Sequence, residues 1–349
     1  MGSRKSVTID GLKIGNGAPV RVESMLKTPL SDVEGCVAET KLLASEGCEL
    51  ARVSLPEISL AENLAKLVSA SELVLMADIH FNHRLALAAI DAGCRSIRIN
   101  PGNMSGEDGV REVIAAAKRS NVVLRIGANG GSLNNRQIAD AGGDRASALV
   151  RAVDEQLKIL TDNDFTNVII SAKSSSVPVT LKANFLLSER WPFPLHIGIT
   201  EAGGGVSGIV KGSAGIAMML GQGIGDTIRV SLTAPGVEEV KVGYHILRAL
   251  EIRKRGVNLI SCPTCGRRRV DVASLAEKVR AMLPADLPDG TTVAVMGCEV
   301  NGPREAAGAD IGIAGTPEGF VMFRRGESVY SGPIERLGDE LRRAIDVLM

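Results

Sequence analysis

The sequence predicts an α/β protein built as an N-terminal (β/α)8 TIM barrel followed by a small α+β domain. Three observations carry this. From about residue 20 to residue 253, short Val- and Ile-rich runs alternate with longer amphipathic ones. Almost every short run ends in charged or amide residues. Beyond residue 253 the alternation gives way to closely spaced strand-like runs, a Cys-x-x-Cys turn and a hairpin. The expected division is therefore 1–253 for the barrel and 254–349 for the second domain.

The eight strand-like runs are Val20–Met25, Leu50–Leu55, Val74–His80, Ser96–Asn100, Val122–Ala128, Asn167–Lys173, Leu195–Thr200 and Asp226–Leu232. Each is short and bounded by turn residues. Ser31 or Asp32 is placed to cap the first helix, with Glu34 in its first turn. The last helix of the series runs from about Val237 to Arg253. Eight strands in alternation with helices fit either a closed barrel or an open doubly wound sheet. The open sheet calls for a Gly-rich phosphate fingerprint after its first strand; Leu26-Lys27-Thr28-Pro29 stands there instead. The barrel also accounts for the polar strand ends, because barrel active sites form at the C-terminal ends of the strands.

The second domain reads as a strand (Asn258–Ser261), the Cys-x-x-Cys turn, a helix (about Val270–Met282) and a strand (Thr292–Met296). A Cys-Gly-Pro-rich turn follows. Then come a strand (Ile311–Ala314), a hairpin (Phe320–Tyr330 around Arg325-Gly326-Glu327) and a closing helix (Ile334–Leu348).

The 349 residues carry 40 basic and 40 acidic side chains, so the formal net charge is zero. That argues against a nucleic-acid-binding surface spread over the whole protein, while leaving room for a local basic pocket. No apolar run approaches the roughly 20 residues that span a bilayer. Met1-Gly2-Ser3-Arg4-Lys5 leads into polar sequence without a signal-peptide core. The expected location is the cytoplasm, where six cysteines are more readily thiols, metal ligands or catalysts than disulfides. Cys36, Cys48 and Cys94 read as small buried hydrophobes.

Cys262-Pro263-Thr264-Cys265 and Cys298 are different, because they bring three cysteines to two turns of one small domain. A lone Cys-x-x-Cys is compatible with a redox disulfide. A zinc knuckle needs a fourth ligand, and the four histidines, His80, His83, His196 and His245, all lie in the barrel half. Three thiolates suit a 4Fe–4S cluster whose fourth iron takes another ligand. Asn301-Gly302-Pro303-Arg304-Glu305 offers candidates for it, and a carboxylate there is a displaceable oxygen donor.

In the barrel, Arg52, Arg98, Arg125, Lys173 and Arg229 converge on the mouth. Any one of them could simply pair with a neighbouring carboxylate. Five together repel one another unless an anion is bound, and arginine holds phosphate oxygens in a bidentate manner. Gly-rich turns after three strands (101–103, 129–132 and 201–205) let backbone N–H groups approach phosphate. Asp78, His80 and Glu201 are the proton-handling candidates. Asp78 and His80 serve equally well as orienters of the cations. His196 and Asp226 lie early in their strands and read as structural. A rival reading is a non-redox barrel lyase or transferase with a structural zinc domain, in which Lys173 forms a Schiff base.

These motifs resemble the 4-hydroxy-3-methylbut-2-en-1-yl diphosphate synthase family. The resemblance rests on Ala51-Arg52-Val53-Ser54, Ala77-Asp78-Ile79-His80-Phe81 and Arg98-Ile99-Asn100-Pro101-Gly102-Asn103. It rests also on the run from His196 to Gly203, the run from Gly225 to Leu232, Cys262-Pro263-Thr264-Cys265, and Gly297-Cys298-Glu299-Val300-Asn301-Gly302. It covers nearly the whole chain in order. It implies an oxidoreductase of non-mevalonate isoprenoid biosynthesis whose barrel binds 2-C-methyl-D-erythritol 2,4-cyclodiphosphate. The substrate contacts it places at the mouth are Arg52, Asp78, His80, Arg98, Asn100, Arg125, Asn129, Lys173, Thr200, Arg229 and Ser231. It implies one 4Fe–4S cluster per chain on Cys262, Cys265 and Cys298, with Glu305 as fourth ligand. Glu201 and Glu305 are the implied catalytic residues. Two electrons from reduced flavodoxin or ferredoxin open the ring and expel water. A homodimer is implied, in which the cluster domain of one subunit caps the barrel of the other.

The chain departs from the family pattern at a few positions. Glu23-Ser24-Met25-Leu26 stands where Gln-Ser-Met-Thr is usual, and Ala128-Asn129-Gly130-Gly131 where Val-Asn-Ala-Gly is usual. Ser176 replaces a common Asp, and Glu299 and Arg304 replace Val and Gly beside the cluster turn.

Overall fold

A computed structural model describes residues 2–80, 82–100, 107–300, 304 and 306–349. The chain separates into two compact units, Met1–Arg253 and Lys254–Met349.

The first unit opens with a hairpin, β1 (Ser6–Ile9) and β2 (Leu12–Gly15). Its two-residue turn is Asp10-Gly11, with φ of 45° and 85°. That is the left-handed pair a tight hairpin turn requires and that Asp-Gly supplies readily. Val7, Ile9 and Ile14 pack on Val123 and Ile169, at or near the starts of two barrel strands. The hairpin thus plugs the N-terminal end of the barrel, an element the alternating pattern from residue 20 onward did not include.

Eight parallel strands follow: β3 (Arg21–Met25), β4 (Leu50–Ser54), β5 (Val74–Asp78), β6 (Ser96–Arg98), β7 (Val123–Asn129), β8 (Val168–Lys173), β9 (His196–Ile197) and β10 (Thr227–Ile228). They pair in chain order from β3 to β8, and β10 joins β3 to β9. A parallel bridge between Ile170 and Leu195 closes the ring. The expected eight-stranded barrel is therefore present. Its last two strands are much shorter than their apolar runs. Beyond Ile197 the backbone of Gly198 crowds the carbonyl of Arg229, so closely that a Cβ would lie 2.5 Å from that oxygen. The connecting helices bury one face against the strands. Asp32 caps Val33–Ser45 through Gly35 N–H, as its position predicts, and Asn82, Asp144 and Ser176 cap later helices in the same way.

The second unit is a five-stranded sheet, β11 (Asn258–Ser261), β12 (Thr292–Met296), β13 (Ile311–Thr316), β14 (Gly319–Arg324) and β15 (Glu327–Gly332), in that order. The first three strands are parallel and the last two antiparallel. Helices Val272–Met282 and Leu337–Asp346 supply Val279 and Leu341 to a core shared with Ile311, Ile313 and Phe320.

Candidate active site

In-register pairing sets the barrel site. Asp78, Arg98 and Arg125 stand side by side on β5, β6 and β7. The same geometry aligns Asn129 with Lys173 on β7 and β8. A cavity of about 230 Å3 opens there. All five cations border it, as do Asp78, His80, Asn129, Thr200 and Ser231. Asn100 does not. It borders a separate cavity with Ala128, Gln156 and the 132–137 segment. Glu201 is exposed and does not border the main cavity either. Its backbone is left-handed, at φ 53°, within a run that includes Gly203 at 96° and Gly205 at 55°. A non-glycine residue in that region is uncommon and locally costly.

Asp78 is the hub of the mouth. It is 6% exposed. Its carboxylate lies 3.4 Å from Arg52 Nε, 3.2 Å from Arg98 Nη1 and 3.7 Å from His80 Nε2. Burial alone would raise its pKa. The hydrogen bond from His80 and the charges of Arg52 and Arg98 outweigh burial and hold the carboxyl well below the usual range. Asp78 is therefore an ionised anchor that aims two arginines into the cavity. This geometry favours the orienting role over proton transfer.

Deeper in the barrel lies a second polar set. Arg125 is 2% exposed and donates to Glu23 Oε2 at 2.5 Å. Burial pushes the Glu23 carboxyl up, but Arg125 and Arg52 win and its pKa is lowered. Glu23 Oε2 is also 3.5 Å from His196 Nδ1. That nitrogen is 2.7 Å from Thr227 Oγ1, and His196 Nε2 is 2.6 Å from Lys173 Nζ. Nδ1, which faces the Glu23 carboxylate and the Thr227 hydroxyl, is placed to donate, and Nε2 is then the acceptor toward Lys173 Nζ. Lys173 reaches back to His196 over Gly198, where a Cβ would stand 3.3 Å from Nζ. Burial, then the neighbouring cations Arg125, Arg229 and Arg52, push the Lys173 pKa well below its ordinary value despite Glu23. Burial and Lys173 do the same to His196.

His196 thus borders the cavity rather than serving only as filler. Its early position in the strand does not show this, because the contact depends on Lys173 reaching back over Gly198 rather than on neighbouring register positions. Two carboxylates also escaped the sequence reading as site elements. Glu23 is one. Glu239 is the other: it stands 3.7 Å behind Arg229 and accepts from Leu232 N–H. Arg125 Nη2 and Arg229 Nε are buried donors without an acceptor among the described residues.

In the second unit, β11 and β12 run parallel and in register, with Ser261 opposite Val295. The turns bearing Cys262 and Cys298 therefore leave the same end of two adjacent strands. Gly297 N–H donates to Cys262 Sγ at 3.2 Å. Cys262 is half-buried, Cys265 exposed and Cys298 buried. Thr264, between the first two, has φ 66°. A β-branched residue there is a true outlier, the kind of strain that collects at functional turns. Arg269 pairs with Glu299 at 3.6 Å across this region. Among the described residues no three His, Cys, Asp or Glu are grouped closely enough to hold a single metal ion. A cluster spreads its thiolates over separate irons, and a sulfur that accepts a backbone N–H suits that role. The cysteine turns fit such a group. Glu305, Asn301, Gly302 and Pro303 lie outside the described residues, as do Phe81 and the Pro101-Gly102-Asn103 turn. By contrast Cys36, Cys48 and Cys94 are buried among apolar side chains, and burial pushes their thiols up to about 11, about 12 and about 11.

Fold and site together define a TIM-barrel protein with a cationic mouth and an appended cysteine-bearing domain. Residues 4–244 match the family description "GcpE TIM-barrel domain", and residues 258–347 match "GcpE protein C-terminal domain". A protein of Maridesulfovibrio salexigens is 46% identical over 93% of this chain and 90% of its own length. One of Geobacter sulfurreducens is 41% identical over 99% and 98%, and one of Caldanaerobacter subterraneus 43% over 99% and 97%. All three are named 4-hydroxy-3-methylbut-2-en-1-yl diphosphate synthase (flavodoxin). The chain belongs to that family. Among solved structures, 3-dehydroquinate dehydratase from Geobacillus kaustophilus overlaps at a TM-score of 0.50 and 17% identity, covering 71% of this chain and 99% of its own. Sialic acid synthetase from Leptospira borgpetersenii overlaps at 0.51 and 13%, covering 80% and 96%. These two share the fold.

Proposed function

We propose that this chain reductively opens 2-C-methyl-D-erythritol 2,4-cyclodiphosphate and dehydrates it to (E)-4-hydroxy-3-methylbut-2-enyl diphosphate. The observation that carries the reading is the barrel mouth itself. Five cations border one cavity, and buried guanidinium donors there lack acceptors among the described residues. Such a site gains from a ligand rich in anionic oxygens, because a buried donor left unmade is costly. Arg52 and Arg98, held by Asp78, are set to grip one phosphate group. Arg125, Lys173 and Arg229 serve the other, with Asn129, Thr200 and Ser231 as neutral contacts. The walls of the cavity keep bulk water from the reacting carbons.

Cys262, Cys265 and Cys298, with Glu305 as displaceable fourth ligand, would hold one 4Fe–4S cluster per chain, and that group supplies electrons one at a time when bound. Overall, two electrons and one proton enter. The ring carbon–oxygen bond to phosphate breaks, a hydroxyl leaves as water, and a dianion becomes a trianion. Glu201 hands the proton to the departing hydroxyl; its glycine-rich loop leaves room for a ligand to approach. Reduced flavodoxin or ferredoxin is the electron source. The active form is a cytoplasmic homodimer in which each barrel is completed by the cysteine domain of the second subunit. Among the described residues no helix is long and apolar enough to cross a membrane.

The test is anaerobic purification, iron and sulfide analysis, and turnover of the cyclic diphosphate with reduced flavodoxin. About four irons and four sulfides per chain are expected, with turnover that falls by roughly 100-fold or more in Glu201→Gln. A reconstituted protein that holds zinc, or holds iron yet leaves the cyclic diphosphate untouched, refutes the reading.

A further inference from the structure

The five cations of the mouth are not left uncompensated by the barrel. Three carboxylates stand against them: Asp78 at Arg52 and Arg98, Glu23 at Arg125, and Glu239 at Arg229. Asp78, Glu23 and Glu239 are 6%, 1% and 1% exposed, so solvent screens none of them effectively. Each of them takes one unit off the positive charge that the cations give the described barrel mouth, and Glu239 is shared with Lys27, 3.4 Å away.

That charge bears on the chemistry. A cyclic diphosphate carries one ionisable oxygen on each phosphorus and is a dianion. A linear diphosphate monoester has a third ionisable oxygen, whose proton is lost near pH 6 as in other phosphate esters. The proposed reaction therefore turns a dianion into a trianion inside a fixed cradle. A cradle of higher positive charge would hold the product more tightly than the substrate and slow its release.

Glu23 is the carboxylate best placed to prevent this. It lies inside the barrel, in contact with Arg125 and within 3.5 Å of His196, which in turn holds Lys173. It is not among the residues that border the cavity, and it acts through Arg125 and the Lys173–His196 pair. We propose that Glu23 is a positioning residue that lowers the positive charge of the mouth and thereby favours a dianionic cyclic diphosphate over a trianionic linear one. The inference rests on the diphosphate reading of the site.

The test compares two anions on the intact protein by equilibrium calorimetry at pH about 8, where the linear monoester and inorganic pyrophosphate are both mainly trianions. The probes are the cyclic diphosphate and inorganic pyrophosphate. Glu23→Gln keeps the shape and removes the charge. It is expected to tighten pyrophosphate binding about tenfold more than it tightens the cyclic dianion, as one added unit of charge in a poorly screened site implies. Inhibition by the linear product should strengthen in step. Glu23→Asp keeps the charge and should retain wild-type discrimination. Glu239→Gln, tested in the same way, should move the ratio in the same direction as Glu23→Gln; this covers the case in which Glu23→Gln does not fold. Equal changes for both anions, or a folded Glu239→Gln with an unchanged ratio, would overturn the proposal and leave Glu23 as a structural partner of Arg125. Failure of the wild-type protein to bind either anion would instead refute the diphosphate reading itself.

Discussion

Asp78→Asn separates what the mouth costs the fold from what it gives the ligand. The carboxylate faces Arg52 at 3.4 Å and Arg98 at 3.2 Å and is 7% exposed as a side chain. At an effective dielectric of 20, each pair is worth about 5 kcal/mol before desolvation is counted. Desolvation cancels much of that, and breaking a buried pair typically costs about 3–5 kcal/mol. The amide keeps one acceptor oxygen, which places the expected loss near the lower end, about 3 kcal/mol. The assay is urea unfolding followed by the fluorescence of Trp191, the single tryptophan, which lies in the barrel unit and reports on it alone. Pyrophosphate brings back the negative charge that the variant lacks. Saturating pyrophosphate should therefore stabilise Asp78→Asn by more than it stabilises the wild type. The pH dependence has a definite sign. The folded pKa of Asp78 is depressed, so its contribution is complete above the ordinary carboxylate value of about 3.9 and is lost as pH falls further. The gap between wild type and variant should narrow in that acidic range. A variant within about 0.5 kcal/mol of wild type, or equal stabilisation of both by pyrophosphate, would refute the reasoning.

Three further outcomes follow from the same geometry. Lys173→Met removes a buried ammonium crowded by other cations, so the ligand-free barrel should unfold at higher urea while pyrophosphate affinity falls at least tenfold; lowered stability with unchanged affinity would contradict it. Because the Lys173 pKa is depressed in the folded state, stability should also rise with pH between that depressed value and the ordinary lysine value of about 10.4, and Lys173→Met should flatten the rise. Cys298→Ser should strip iron and sulfide from the anaerobically purified protein and abolish turnover, yet leave the Trp191 transition in place, since cysteine and tryptophan lie in separate units; retained iron would refute its ligand role. Ile9→Ala, in the hairpin that plugs the barrel floor, should cost about 2–5 kcal/mol by the same fluorescence assay, with pyrophosphate affinity unchanged.

The barrel was legible because its signal is local. Short Val- and Ile-rich runs between amphipathic ones dictate strand and helix, and cations at the ends of those runs can only gather at one mouth once the ring closes. The two cysteine turns were legible as neighbours for a similar reason, since they follow adjacent parallel strands. The motifs carried the family as well, through residues such as Asp78, Arg98 and Cys262. What the chain alone did not disclose is which carboxylate answers which cation. Glu23 lies 102 positions from Arg125 and meets it only across the barrel interior, and Glu239 turns back to Arg229 from the helix that follows its strand. His196 reads as structural because it begins its strand, and its contact with Lys173 depends on the missing side chain of Gly198, over which Lys173 reaches back. Asn100, legible as a strand end, faces a neighbouring cavity. The sequence by itself determined the elements, their order and the chemical types gathered at the mouth, because these depend on local periodicity and on where strands end. Only the tertiary structure decided the pairings and the balance of charge, because they depend on barrel closure and stagger, which bring residues up to two hundred positions apart within a few ångströms.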